Sequence, residues 1–295
     1  MTRPLADVHV HSVSGDGDAA DAAVGIDALV DEGLTALFAL LAPNFGWPPD
    51  AMRHFFPPES AELAARSAQV ELPFGLAVRE RLRDPSVMKV FLSFHPFLPR
   101  LMGGAPVDDA VAEIDRWQPD GLKLHYFDEP HDFLSVYRSV DGRWDPARQH
   151  ELVRRLFGEA RRRDLPVVVH VDLRRSWDGI TAVVEEFEDV ATCICHLGYS
   201  RTRCADFLDR YPWLVTDLSG IGLHEHLVQQ PDQYRSWILE RPQRVLFGSD
   251  RYLGAVPDMR RSWDILDLLA LGGDVDAAVR HGNASRFTPR LVPSR

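Results

Sequence analysis

The sequence is poor in cysteine and in long apolar runs, and each shortage excludes a class of protein. Only three cysteines occur in 295 residues, all of them between positions 193 and 204. An odd, clustered set of this kind does not form a disulfide framework, so we expect a reducing, cytoplasmic environment. No apolar run reaches the roughly 18 residues that span a bilayer. The opening MTRPLADVHVH lacks the apolar core of a signal peptide, so export is not expected.

Positive charge is also in short supply. Lys+Arg number 33 against 44 Asp+Glu, a formal net charge of −11, and the only lysines are Lys89 and Lys123. This balance disfavours binding to nucleic acid or to an anionic membrane, so we expect a small-molecule partner. Hydrophobic residues make up 45% of the chain and charged residues 26%, an ordinary globular balance. No linker, repeat or low-complexity tract divides the sequence, which predicts one domain over residues 1–295.

Strand-like and helix-like segments alternate along the chain. Amphipathic stretches such as Pro146–Arg163 separate short segments rich in Val, Leu and Phe, which are typical of buried parallel strands. The predicted strands are Ala6–His11, Thr35–Leu41, Met88–Phe94, Gly121–His125, Pro166–Val171, Ala191–Leu197, Trp213–Leu218 and Arg244–Gly248. This pattern predicts an α/β protein with a closed (β/α)8 TIM barrel. An open doubly wound sheet is the alternative, although no GxGxxG motif follows any strand.

The first predicted strand carries two histidines in the sequence Asp7-Val8-His9-Val10-His11. Residues i and i+2 of a strand share a face, so His9 and His11 are predicted to point the same way, and Asp7 with them. Two imidazoles on rigid backbone suit a divalent metal. The motif by itself is weak evidence, since a chance pair of core histidines also explains it.

Three later strands also end in a residue that can ligate a metal. His170 follows an apolar run, His196 lies in the segment CHLG, and Asp250 comes just after the eighth predicted strand. The carboxyl ends of the strands of a (β/α)8 barrel ring one opening, so these side chains are predicted to meet the two histidines of the first strand. Imidazole and carboxylate donors suit Zn or Mn, with one coordination position left for water.

These motifs resemble those of the amidohydrolase superfamily of metal-dependent (β/α)8-barrel enzymes, in the branch of aminocarboxymuconate-semialdehyde decarboxylase and related amidohydrolases. The matching segments follow the family order through nearly the whole chain. They are DVHVH at 7–11, GLKLH at 121–125, VVVH at 167–170, CHLG at 195–198, LFGSD at 246–250 and GNASRF at 282–287. The resemblance implies one metal held by His9, His11, His170 and Asp250. It also implies two catalytic residues: Asp250, as acceptor of a proton from water, and His196, beside that water.

Several activities fit such a site. A divalent metal lowers the pKa of bound water from about 16 to roughly 7, which suits hydrolysis of a small lactone, ester or amide. Non-oxidative decarboxylation of a small carboxylic acid is the alternative that the resemblance leaves open. A barrel that has lost its chemistry and acts as a binding or scaffold protein is the non-enzymatic alternative. Zn is the first expectation for the metal, with Mn, Fe or Co also suited. The resemblance also allows a homodimer.

Lys123 leaves the number of metals open. It lies two residues before His125 on the fourth predicted strand, so the two share a face. In barrels that resemble dihydroorotase or urease, a lysine on this strand is carbamylated and bridges two metals, whereas single-metal relatives also carry a lysine here. We expect the single-metal site. A buried lysine paired with an acidic neighbour is the structural alternative, because burial without a partner is costly.

Other residues are weaker candidates. Asp172 is expected on the face of His170, where it could orient a ligand or bind substrate. Arginines that follow strands could clamp a substrate carboxylate; these are Arg174, Arg201 and Arg251. His224 and His226, in the expected loop after the seventh strand, are possible substrate contacts. Cys193 and Cys195 are expected to pack against helices, away from the metal. Two long connections, 42–58 and 126–145, are expected to cover the site.

Overall fold

Parallel strands alternate with helices, as the sequence predicts. The computed structural model describes residues 3–12, 18–43, 71–94, 106–127 and 146–292. Its strands are β1 Leu5–His11, β2 Leu34–Leu41, β3 Met88–Phe94, β4 Gly121–Tyr126, β5 Val167–Val171, β6 Thr192–Ile194, β7 Val215–Asp217, β8 Val245–Leu246 and β9 Arg251–Tyr252. Its helices are α1 Ala19–Glu32, α2 71–81, α3 Pro106–Trp117, α4 Pro146–Arg163, α5 Trp177–Glu186, α6 Arg201–Arg210, α7 Ile221–Gln229, α8 Pro231–Glu240, α9 Val256–Leu269, α10 Gly273–Ala277 and α11 Asn283–Phe287. All eight predicted strands are present, although β6, β7 and β8 are shorter than predicted.

The strands form one parallel sheet in the order β8-β7-β6-β5-β4-β3-β2-β1-β9. β8 and β9 are two short pieces of one segment, which pairs with β7 on one side and with β1 on the other. The Val8 N–H donates to the Phe247 carbonyl at 3.0 Å, and the Asp250 N–H donates to the His9 carbonyl at 2.8 Å. These bonds join the last strand segment to the first. The prediction of a (β/α)8 barrel is therefore confirmed, and the open sheet is excluded.

Apolar side chains form one layer inside the barrel and a second layer between the strands and the helices. Inside the barrel, the rings of Phe38 and Phe91 stack with their centroids 4.7 Å apart. Cys193 and Cys195 belong to this inner cluster, so the prediction that they pack against helices is wrong. The reason is the register of β6, which sets Cys193 beside Val168, an inward residue of β5.

A bulge interrupts β1 at its histidines. The pairing of β1 with β2 shifts register between Asp7 and Val10. Val8 belongs to the inner cluster, whereas Val10 packs in the outer layer, so the alternation of faces reverses between them. Asp7 and His9 therefore do not share a face, contrary to the prediction. Asp7 instead accepts hydrogen bonds from the backbone N–H groups of His9 and Ser249, at 3.3 and 2.9 Å.

One described segment outside the strands departs from the predictions: the expected loop after the seventh strand is the helix α7. Most of the two long connections, residues 44–58 and 128–145, lies outside the described residues, so their expected position over the site stays a prediction. Among the residues that the structure describes, no helix combines the length and the apolar character that crossing a bilayer requires.

The contact between Gly121 and Phe91 gives a test of the barrel packing. A Cβ at Gly121 would lie 2.3 Å from Phe91 Cε1. We expect Gly121→Ala to lower the free energy of unfolding by about 1–3 kcal/mol, because the ring must move inside a packed core. Denaturant unfolding followed by circular dichroism measures the change. The control is Gly158→Ala in α4, whose Cβ would meet Phe187 only at 3.9 Å. Equal stability of the two variants would contradict the inward packing described above.

Candidate active site

His9, His11 and Asp250 meet at the carboxyl ends of the strands. The Nε2 atom of His11 lies 3.0 Å from Asp250 Oδ1, and that of His9 lies 3.6 Å from the same oxygen. One donor atom from each residue lies within 4.8 Å of the other two. Asp250 reaches this position from a left-handed backbone conformation, with φ of 54°. Two imidazole nitrogens and one carboxylate oxygen at this spacing form a donor set suited to a divalent metal.

A buried carboxylate on β7 holds His9 in place. Asp217 Oδ2 accepts a hydrogen bond from His9 Nδ1 at 2.9 Å, and both side chains are fully buried. The proton of His9 is therefore on Nδ1, and the lone pair of Nε2 faces His11 and Asp250. A carboxylate behind a histidine in this way fixes the tautomer and the ring orientation that metal binding requires.

The same carboxylate also organises His196. Asp217 Oδ1 accepts the backbone N–H of His196 at 2.8 Å and that of Ser219 at 3.1 Å. The Ser219 hydroxyl donates to this oxygen as well. His196 Nδ1 lies 3.0 Å from the Ser219 carbonyl oxygen and 2.9 Å from its Oγ, so it is the protonated nitrogen of the ring. Asp217 and Ser219 thus set the orientation of both imidazoles, whose centroids are 4.8 Å apart.

The protonation of the network follows from burial and hydrogen bonding. Burial, together with the charge of Lys123, lowers the pKa of His9 to about 3, so its ring is neutral. Burial by itself raises the pKa of Asp217, but the His9 and Ser219 hydrogen bonds hold that pKa well below its usual value. The pKa of His196 is lowered chiefly by burial. The network therefore combines an ionised carboxylate with neutral imidazoles, the form in which imidazoles bind metals.

Asp250 is also ionised. Burial works to raise its pKa, but the hydrogen bond from His11 and the neighbouring His9 and His196 hold the pKa well below the ordinary carboxyl value. An ionised carboxylate can ligate a metal or accept a proton.

A left-handed turn carries His196 into the site. The strand β6 ends at Ile194, and the residues His196, Leu197, Gly198 and Tyr199 all have φ between 51° and 59°. Such conformations are unfavourable for residues other than glycine and are found mainly where function requires them. A Cβ at Gly198 would lie 2.4 Å from Leu173 Cδ1, so only glycine fits there.

His170 lies beside His196 and His125 and belongs to neither group of converging donors among the described residues. Its ring centroid is 5.1 Å from that of His196 and 4.9 Å from that of His125, the facing residue of β4. Its Nε2 is 3.0 Å from the hydroxyl of Tyr199. His170 and His125 therefore face the same interior as His9, whereas the role of His170 as a fourth ligand stays a proposal.

Lys123 is buried beside a thiol and an imidazole. Its Nζ lies 2.8 Å from Cys195 Sγ and 3.3 Å from His9 Nε2. Among the described residues, no carboxylate forms an ion pair with it, so the expected acidic neighbour is missing from that part of the chain. One nitrogen or sulfur each from His9, Cys195 and His196 also lie within 4.8 Å of one another.

Two of the weaker candidates, Asp172 and His224, bond to other groups of the protein. Asp172 is engaged by Arg174, whose Nε and Nη2 donate to its two carboxylate oxygens at 2.9 and 2.6 Å. His224 is buried, and its Nε2 donates to the carbonyls of Leu218 at 2.8 Å and Gly248 at 3.2 Å. The expectation that His224 contacts substrate is therefore wrong, because its ring joins the ends of two strands.

A cleft of about 480 Å³ opens beside these residues. Asp250 and His196 line it together with Arg174, Arg201 and His226. The third candidate arginine, Arg251, lies on β9, where its Nε donates to the Ser262 hydroxyl at 3.3 Å.

The sequence analysis missed Asp217 and Ser219. A signal was present, since Asp217 is a charged residue near the end of the apolar seventh strand, WLVTDL. A charge at such a position requires a buried partner. Its partner comes from β1, 208 residues away, and nothing local in the sequence identifies it.

Comparison with known proteins identifies the family and supports the fold. A sequence profile of the amidohydrolase family matches residues 6–290. No match was found among curated proteins. The fold is similar to that of 4-oxalomesaconate hydratase from Rhodopseudomonas palustris, with a TM-score of 0.50 and 12% identity over 97% of this chain and 96% of that one. A protein from Lactobacillus casei named as a metal-dependent hydrolase aligns over 99% of this chain and 97% of its own, with 11% identity and a TM-score of 0.44.

The support that Asp217 gives to His9 is open to direct test. We expect Asp217→Asn to weaken Zn²⁺ binding about 10- to 100-fold, because the carboxylate that fixes His9 is lost. Competition with a fluorescent chelator measures the affinity. The control is Asp120→Asn, which removes a carboxylate that only accepts the Val90 N–H at 2.7 Å. If both variants bind Zn²⁺ equally well, His9 does not depend on Asp217.

Proposed function

The chain belongs to the amidohydrolase family, and on this basis we propose that it uses a divalent metal to hydrolyse a small lactone, ester or amide. The family match supports a metal-dependent enzyme of the hydrolase type. The substrate class is our proposal. The observation that carries the proposal is the convergence of His9 Nε2, His11 Nε2 and Asp250 Oδ1 at the mouth of the barrel.

The residues of this site fit a metal. The two imidazole nitrogens come from side chains of β1, whose backbone is rigid. Asp217 directs the lone pair of His9 Nε2 toward the site. His9, His11 and Asp250 would hold the ion, and His170 is the fourth proposed ligand. When bound, a divalent metal supplies a positive charge that acidifies water and polarises a substrate oxygen.

The proton transfers of hydrolysis can be assigned to two side chains of the cleft. Asp250 is proposed to take the proton from the attacking water, because its carboxylate is ionised and lines the cleft. His196 can accept that proton next, since Nδ1 is already protonated toward Ser219 and Nε2 is its basic nitrogen. The proton then passes to the oxygen or nitrogen that leaves the substrate. This sequence returns both side chains to their starting state.

We propose one metal ion per chain. The two donor groups, His9–His11–Asp250 and His9–Cys195–His196, share His9. Because Asp217 engages His9 Nδ1, only Nε2 can bind an ion, and it can serve one group at a time. The two donor groups therefore cannot each hold an ion, and an unmodified Lys123, which contacts Cys195 Sγ and His9 Nε2, is the second part of the proposal.

The stoichiometry can be measured on the purified protein. We expect elemental analysis to give one ion per chain, with Zn first in abundance and Mn, Fe or Co as the other candidates. Intact-protein and peptide mass spectrometry is expected to find Lys123 unmodified. Two ions together with a carbamyl adduct on Lys123 would overturn the single-metal proposal.

The reaction is tested with a panel of small lactones, esters and amides. We expect chelation to abolish turnover and added metal to restore it, and Asp250→Asn to lower kcat at least about 100-fold, because the proton acceptor is lost. The control is Asp258→Asn, a partly exposed position in α9 where the carboxylate pairs with Arg261. Unfolding curves confirm that both variants fold.

The same assays separate the alternatives. Release of carbon dioxide from small carboxylic acids, with no hydrolysis of the panel, would replace hydrolysis by non-oxidative decarboxylation. A protein that binds no metal after reconstitution and turns over no substrate would instead be a binding or scaffold protein.

A further inference from the structure

Arg201 is placed to recognise one end of the substrate. It is the first residue of α6, directly after the left-handed turn that carries His196. It lines the same cleft as His196 and Asp250, the two residues to which the proton transfers are assigned. The cleft thus contains the two residues of the proposed proton transfers together with a permanently charged guanidinium.

The guanidinium of Arg201 is held in a defined position. Its Cζ lies 4.9 Å from the centroid of the Tyr234 ring, a cation–π contact. Its Nη2 donates to Gln233 Oε1 at 2.8 Å. Both contacts come from α8, so the head group is oriented before any ligand arrives. Preorganisation of this kind lowers the entropy cost of binding.

The opposite nitrogen of the guanidinium lacks a partner in the part of the chain that the structure describes. Nη1 of Arg201 is buried and makes no hydrogen bond to any of the described residues. No described carboxylate forms an ion pair with Arg201. A buried cationic donor left unsatisfied is costly, and an anion is the group that satisfies it.

Arg174, the other arginine of the cleft, is different. Its guanidinium makes a two-point contact with Asp172, which neutralises its charge locally. Arg174 and Arg201 therefore have separate tasks: the first is paired within the protein, and the second is available to a ligand.

We propose that Arg201 binds a carboxylate of the substrate, so that the enzyme acts on small lactones, esters or amides that also carry a carboxylate. The reacting group of this substrate rests on the function proposed above, whereas the recognition of an anion rests on Arg201 alone. The N–H groups of the guanidinium that Gln233 leaves free can donate to a carboxylate, and the arginine pairs with it without a change of protonation.

Binding of simple dicarboxylates tests the proposal without turnover. Isothermal titration calorimetry with glutarate, and with neutral glutaramide, is carried out on the metal-loaded protein and again after chelation. We expect glutarate to bind and glutaramide to bind far more weakly. Arg201→Gln is expected to lower the glutarate affinity about 10- to 100-fold, the loss typical of a charged hydrogen bond. Arg201→Lys should recover only part of it, because an ammonium lacks the planar fork.

The matched control is Arg203→Gln on the same helix. Arg203 is exposed and lies over the Trp177 ring at 5.4 Å, outside the cleft. We expect this variant to bind glutarate as the unaltered protein does. The proposal is overturned if Arg201→Gln also binds glutarate normally, if no dicarboxylate binds at all, or if inorganic phosphate and not glutarate is the anion that depends on Arg201. Since no step requires hydrolysis, loss of the hydrolase proposal would leave this result interpretable.

Discussion

The hydrogen bonds to Asp217 are the interactions on which the whole site depends. This carboxylate is fully buried in β7, where its charge is tolerated only because it accepts bonds from His9, His196 and Ser219. The same bonds decide which nitrogen of each imidazole carries the proton. With Nδ1 protonated in both rings, the two Nε2 atoms have lone pairs directed away from the network. A single buried charge therefore links the proposed metal binding by His9 to the proposed proton transfer by His196.

Two departures from regular strand geometry bring the functional side chains together. The bulge in β1 reverses the alternation of faces, so that His9 can point inward although Val8 before it also does. The left-handed turn from His196 to Tyr199 ends β6 early and directs His196 toward the same interior. Both distortions lie at the carboxyl ends of strands, where the loops of a (β/α)8 barrel form its active site. Regular alternation of side chains along a strand predicts neither the bulge nor the turn. For this reason the face predicted for Cys195 was wrong.

The cleft combines groups of opposite charge, and each group has its own partner. Asp172 and Arg174 neutralise one another, whereas Asp250 faces the histidines and Arg201 is held by an amide and an aromatic ring. Such an arrangement suits a small substrate with a reactive carbonyl at one end and an anionic group at the other. The net charge of −11 does not oppose the proposed binding of an anion, because local charge in a cleft outweighs the net charge of the surface.

The order of strands and the metal-type residues at their ends follow from the sequence alone. Apolar runs separated by amphipathic stretches predict the eight strands. Local spacing places His9 and His11 on one face, Asp250 stands out by its position after a strand, and the resemblance to the family implies that they are ligands. The tertiary structure alone decided the partners of buried polar groups. It paired Asp217 with His9, set Lys123 beside Cys195, and gave Arg174 a carboxylate partner where the described residues offer none to Arg201. These outcomes depend on contacts between segments that are distant in the chain, and hydrogen bonds across such distances leave no periodic trace in the sequence.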